Sequence, residues 1–190
     1  PKRNTGRGAE AFVVSPFARL ARVQILNAGG DALIAIALAG SLFFSLDPDS
    51  ARPRVALYLL LTITPFAIVG PLVGPLIDRT RGGRRVMVIG SAGGRMLMVL
   101  LMTQHLDSLL LFPEAFAALV LGKTYHVAKS AIVPGLVKRD SELVEANSRL
   151  VLLSGIGGAL AAGPGLLLAL LGPTWVLALA ACVFAAAIPA

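Results

Sequence analysis

The chain has 190 residues, 56% hydrophobic and 14% charged, with a mean hydropathy of +0.82. Soluble domains carry about 25% charged residues, so the composition excludes an ordinary soluble domain and points to a polytopic membrane protein. The formal net charge is +7, but the basic residues fall in short loops between apolar runs with few aromatics among them, which argues against a nucleic-acid partner.

Residues 1–19 form a basic N-terminal segment with Lys2, Arg3, Arg7 and Arg19. Basic residues ahead of a first span place that end in the cytoplasm. The polar start and the length of the apolar stretch behind it lead us to expect no signal peptide. The first helix is expected over 20–46. Gln24, Asn27 and Asp31 stand at i, i+3 and i+7 within it and so share one face. Inside a bilayer such a stripe turns toward protein or a water-filled cavity.

A short external loop with Pro48 and Pro53 leads to a second span over 55–77, which has no Asp, Glu, Lys, Arg or His. It carries Pro65, Pro71 and Pro75 and the pair Gly70 and Gly74, so it is expected to be kinked and closely packed. The loop from Gly74 to Arg85 holds Asp78 and four arginines, Arg79, Arg81, Arg84 and Arg85. The third span, 86–103, is broken only by Arg95 and has small residues four apart at Gly90 and Gly94. The fourth, 109–134, is the least apolar, carrying Glu114, Lys123, His126 and Lys129. A polar connector from Gly135 to Asn147 follows, with Asp140 or Ser141 placed to cap the next helix.

The fifth span, 150–171, has no charge and many small residues, among them Gly155, Gly157, Gly158, Gly163, Pro164 and Gly165, so close packing is expected. The sixth, 174–190, opens on Trp175, which suits the membrane interface. Six spans put both ends on the cytoplasmic side. Gly70-Pro71 late in the second span and Gly163-Pro164 late in the fifth hint at two inverted three-helix repeats.

Cys182, the lone cysteine, stands in an apolar run and has no intramolecular partner. We expect no metal or cofactor, and no enzyme, because no catalytic triad, phosphate-binding glycine loop or metal-ligand spacing is present.

Several stretches together resemble the major facilitator superfamily of transporters, closest to its drug and siderophore efflux members. Gly74, Asp78, Arg79, Gly83, Arg84 and Arg85 resemble the signature between that family's second and third helices, with two extra residues after the Asp-Arg pair. Asn27 to Asp31 is similar to the first-helix Gly-Asp of efflux members, and Ala131 to Arg139 with Leu143, Ala146 and Asn147 to their stretch leaving helix four. The fifth span resembles the antiporter Gly-Pro helix at Gly158 and Gly163 to Gly165, but has Leu167 and Leu168 where the fuller motif has glycines.

The resemblance implies the N-terminal six-helix half of a facilitator fold, set in the plasma (inner) membrane and working by alternating access. It also implies an ionic latch on the loop around Asp78, and a second six-helix half in the same chain or a partner protomer. Proton-coupled efflux of an unidentified small molecule is the leading expectation. A carboxylate at Asp31 would be desolvated and able to carry a proton, and Asn27, Arg95, Lys123 and His126 are the other cavity candidates. A non-transporting scaffold that keeps the fold is the rival, and a dimerising half-size transporter a third reading.

Overall fold

Inside a bilayer an apolar run must satisfy its backbone internally, and a helix does this within one segment. The computed structural model describes residues 16–43, 83–108, 110–136 and 140–190, and these are helices joined by tight turns with no strand among them. The helices are α1 (Pro16–Phe43), α2 (Gly83–Gln104), α3 (Leu111–Ile132), α4 (Asp140–Ala169) and α5 (Pro173–Ala187), with a 3₁₀ turn at Val133–Leu136. Among the described residues, three stretches are long and apolar enough to cross a membrane, Pro16–Ser41, Val86–Gln104 and Glu142–Ala169, and Pro173–Ala187 is a shorter apolar helix. The chain is therefore of the all-helical, membrane-protein type.

The expected second span, 55–77, and Gly70, Gly74, Asp78 and Arg79 lie outside the described residues. Helix bounds differ from the expected ones in two informative places. Gly83, Arg84 and Arg85 belong to the first turn of α2 rather than to a loop. The polar connector is largely helix as well, because α4 begins at Asp140, ten residues before its apolar run. Those added turns have their own reason to be helical. Leu143, Ala146 and Leu150 pack with Leu20 and Val133 in a small core, while Glu145 and Arg149 pair at i, i+4 on the outside.

Contacts give the helix directions. Gly157 and Gly165 of α4 meet Ile25 and Leu33 of α1, both rising along the chain, so α1 and α4 run parallel. Gly94 meets Leu121, and His105 meets Glu114, so α2 and α3 form an antiparallel hairpin. Helix α5 returns between α1 and α2, touching Gly30 and Arg95 through Phe184. The main packed pairs are α1–α4, α1–α5, α2–α3 and α2–α5, whereas α1 and α3 barely touch. A larger core of Leu33, Ile34, Ala37, Val99, Met102 and Phe184 with their neighbours fills the half of the bundle nearer the α2–α3 and α4–α5 turns. Gly172, at φ 124, allows the second of these turns. Phe43 and Gly83, which bound the undescribed stretch, lie at opposite ends of the bundle.

The glycine expectations need sorting. Gly94 is a contact glycine, since a Cβ there would lie 2.8 Å from Leu121 Cδ1. Gly90 and Gly163 meet no other described residue. Gly158 only grazes Ala28, at 3.9 Å, and Pro164 is exposed. The close seam instead runs one face over, through Gly157, Ala161 and Gly165 of α4 and Gly29 of α1. A Cβ on Gly157 would run into the Ile25 carbonyl, and one on Gly29 would come within 3.2 Å of the Ala161 methyl.

Candidate functional site

The polar stripe of α1 points into the bundle, as its spacing predicts. Gln24 and Asn27 are buried, and the Asp31 side chain is 44% exposed. Each finds a different partner. Gln24 Oε1 accepts a 2.7 Å hydrogen bond from the Tyr125 hydroxyl of α3, and its amide nitrogen donates to Ser154 of α4. Asn27 anchors itself by donating to Val23 O at 3.0 Å, which turns its Oδ1 toward α2. There Arg95 Nη1 donates to it at 3.2 Å, while Nη2 forms an ion pair with Asp31.

Arg95 is 1% exposed, and its guanidinium stacks 4.3 Å from the centre of the Phe184 ring. A buried guanidinium needs neutralising and hydrogen-bonding to offset its desolvation. Asp31, Asn27 and the ring face do this from two helices at once, and a cation over an aromatic face adds about 0.5–2 kcal/mol. Nε is left without a hydrogen-bond acceptor among the described residues.

This network forms one wall of a cavity of about 330 Å³ between α1 and α3, where the two helices stand apart. That size is at the low end of small-molecule sites, which run from about 300 to 1,000 Å³. Four of the five candidate residues line it: Asp31, Arg95, Lys123 and His126. Asn27 does not, and acts from behind by holding Arg95. The other described lining residues are apolar, with Ile34, Leu38, Phe112 and Leu119 among them. Tyr125, next to His126, is fully buried and turned away toward Gln24. Its ring meets that of His126 edge-on, with centroids 5.5 Å apart.

Of the expected latch, only Gly83, Arg84 and Arg85 fall within the described residues, at the start of α2 and at the opposite end from the α2–α3 turn. Sequence reasoning missed a second ionic contact at that turn. His105 Nδ1 lies 2.6 Å from Glu114 Oε1, bridging the end of α2 to the start of α3. Its signal was available, as a His at the end of one expected span and a Glu early in the next stand nine residues apart across a short turn.

No protein-family model matches the chain, and no solved structure matches it. Two uncharacterized proteins, one from Mycobacterium tuberculosis and one from Mycobacterium leprae, do. The first is 39% identical over 144 residues, covering 72% of this chain and 26% of the relative. The second is 38% identical over 146 residues, covering 73% of this chain and 25% of the relative. The chain thus spans about a quarter of the length of the curated relatives it matches.

Proposed function

We propose that the chain is the N-terminal six-helix half of a major-facilitator-type secondary transporter, a proton-coupled exporter of a small molecule that works by alternating access in the plasma membrane. The observation that carries this reading is the half-exposed Asp31 carboxylate, paired with buried Arg95, on the wall of a cavity between two helices that barely touch. A carboxylate so placed can exchange its guanidinium partner for a proton, and that exchange is the elementary event of proton coupling.

The packing pattern supports an inverted repeat. Exchanging α1 and α2 for α3 and α5 turns the α1–α5 pair into the α3–α2 pair and leaves α2–α5 unchanged. Such a swap is what two inverted three-helix units would produce. The α4 face turned away from α1 exposes Leu152, Ile156, Leu160 and Leu167, an apolar surface for lipid or for a second half. The relatives are long enough to hold further helices. On this reading the N-terminus and the α3–α4 connection are cytoplasmic, and the α2–α3 and α4–α5 turns are external.

One observation favours the scaffold reading instead. Arg95 is held from three sides, by Asn27, Asp31 and Phe184, as a permanent brace would be. Accessibility separates the two. In sealed native-membrane vesicles, the full-length protein carries Ala35→Cys with its other cysteines changed to serine. Under the transport reading a membrane-impermeant thiol reagent reaches this position from either side. A pH gradient shifts the ratio of the two rates, and Asp31→Asn abolishes that shift. Labelling from one side only, indifferent to pH, would establish the scaffold.

A further inference from the structure

The two members of the Asp31–Arg95 pair are held very differently. The Asp31 side chain is 44% exposed and lines the cavity, and it is short enough to turn without disturbing its helix. Arg95 is 1% exposed and has contacts on three helices that owe nothing to Asp31. Asn27 of α1 accepts a hydrogen bond from Nη1 and is itself tied to Val23 O. The Phe184 ring of α5 has its centre 4.3 Å from Cζ. Gly122 of α3 passes so close that a Cβ there would lie 3.5 Å from Cζ. Moving a long buried side chain out of such surroundings makes its neighbours repack, because interiors are filled to near-crystal density.

Phe184 is itself fixed. It is fully buried, and the tip of its ring sits over Gly30, where any Cβ would run into it. The residue next to Asp31 in the chain therefore backs the ring on which Arg95 rests. An aromatic face attracts a cation whatever becomes of the carboxylate, and does so more strongly where water is excluded.

We propose that Arg95 is the stationary member of the pair and Asp31 the releasable one, with Phe184 the positioning residue that keeps the guanidinium in place while Asp31 is neutral. A proton arriving at an Asp31 carboxylate oxygen ends the ion pair with Nη2. No other bond forms or breaks, and the positive charge stays where it was. The acid turns into the cavity, gives up its proton there, and finds the guanidinium waiting when it returns. This deepens the proton-coupling reading and rests on it for the use made of the exchange. It also reconciles a brace at Arg95 with an exchangeable acid at Asp31.

The test is water access to Arg95. The full-length protein with isotope-labelled arginine is placed in micelles, and hydrogen–deuterium exchange at Arg95 Nε is timed by NMR. The signal is identified by its loss in Arg95→Gln. Nε is buried, so exchange in the parent is slow. Asp31→Asn should leave it slow. Phe184→Met, which keeps apolar bulk but removes the π face, should also leave it slow while Asp31 is charged. The double variant should exchange about tenfold faster or more, as losing a desolvated cation–π contact implies.

Should the double variant fail to fold, acidification makes the same cut by protonating Asp31. It should speed exchange in Phe184→Met and slow it in the parent, where base-catalysed exchange chemistry alone sets the trend. Fast exchange in Asp31→Asn alone would show that the carboxylate holds Arg95, and fast exchange in Phe184→Met alone that the ring only excludes water. Either result, a double variant as slow as the parent, or exchange slowed by acid in both proteins would overturn the proposal. The expected pattern alongside one-sided, pH-indifferent labelling in the vesicle experiment would leave the positioning role standing and remove transport.

Discussion

Around Ile25 and Gly29 the face of α1 that meets α4 is built of bare backbone and methyl groups. The neighbouring face toward α2 and α3 is built instead of amides and charges, of which Gln24 also reaches across to Ser154 of α4. Along the first, Ile25 and Gly29 approach Gly157 and Ala161 so closely that no side chain fits between them. Along the second, Gln24, Asn27 and Asp31 hold Tyr125 and Arg95, and beyond Asp31 the helices part around a cavity. A small-residue seam gains its stability from van der Waals contact at short backbone separation and has one good register. A polar seam is directional and exchangeable, since each group there can trade a protein partner for water, a proton or a ligand. The pairing of the two on one helix means that α1 and α4 behave as a unit, and that any opening occurs on the side of α2 and α3.

The sharpest way to break this contrast is to fill the seam. Gly157→Leu places a side chain against the Ile25 backbone, which cannot step aside without moving α1. We expect a loss of about 3 kcal/mol or more, at or beyond the upper end of overpacking costs. It would show as a lower unfolding midpoint in mixed micelles and a smaller monodisperse fraction. Gly163→Leu, on the same helix but meeting no other described residue, should stay within about 0.5 kcal/mol of the parent. Equal effects at the two positions would mean that the seam is not where α4 is held.

The polar side is tested by a double-mutant cycle. Asp31→Asn leaves a buried guanidinium short of its counter-charge, and breaking a fully buried pair costs about 3–5 kcal/mol. Asp31 is half exposed, so about 2 kcal/mol is expected, with the protein still folded. Arg95→Gln should cost a similar amount, and the two together less than the sum, leaving a coupling of about 1–2 kcal/mol. Additive costs would show that Arg95 is held by Asn27 and Phe184 alone.

How much of this was legible beforehand differs between the same two faces. The polar stripe was readable because helical periodicity puts Gln24, Asn27 and Asp31 on one side, and burying them in a bilayer demands partners. Arg95 was readable as the single break in an apolar run, and Lys123 and His126 as charges where a span should have none. The identities of the partners were not. Nothing local links Gln24 to Tyr125 or Ser154, or Arg95 to Phe184, because those contacts arise only when the helices pack. The glycine seam was misjudged for a related reason. Between Gly155 and Gly165, small residues four apart occur on more than one face, so spacing alone cannot select Gly157 over Gly163. The neighbouring helix decides. The extra turns at the start of α4 were missed because a search for apolar spans passes over a helix that leaves the apolar region carrying Glu145 and Arg149.

Tyr125→Phe probes the polar side where it is structural rather than open. It removes the hydroxyl that donates to Gln24 and leaves the ring in place. The cost should be about 1 kcal/mol, that of one buried neutral hydrogen bond. Because the hydroxyl points away from the cavity, the rate at which N-ethylmaleimide labels a cysteine at position 35 should be unchanged. A changed rate would show that the Gln24 layer and the cavity floor move together.

The smallest effect belongs to the outer surface of α4, where Glu145 and Arg149 pair across one turn at 2.6 Å with both side chains 63% exposed. Short geometry is no guide to energy at such a site. Water screens the charges, and two long side chains lose rotamer freedom when they hold one arrangement, so exposed i, i+4 pairs contribute about 0.3–0.5 kcal/mol. Glu145→Ala should therefore shift the unfolding free energy by no more than about 0.5 kcal/mol, and added salt should erase what difference there is. An effect several times larger, persisting at high salt, would show that this turn of α4 is covered by another part of the assembled protein. It would then belong with the glycine seam and not with the water-exposed surface.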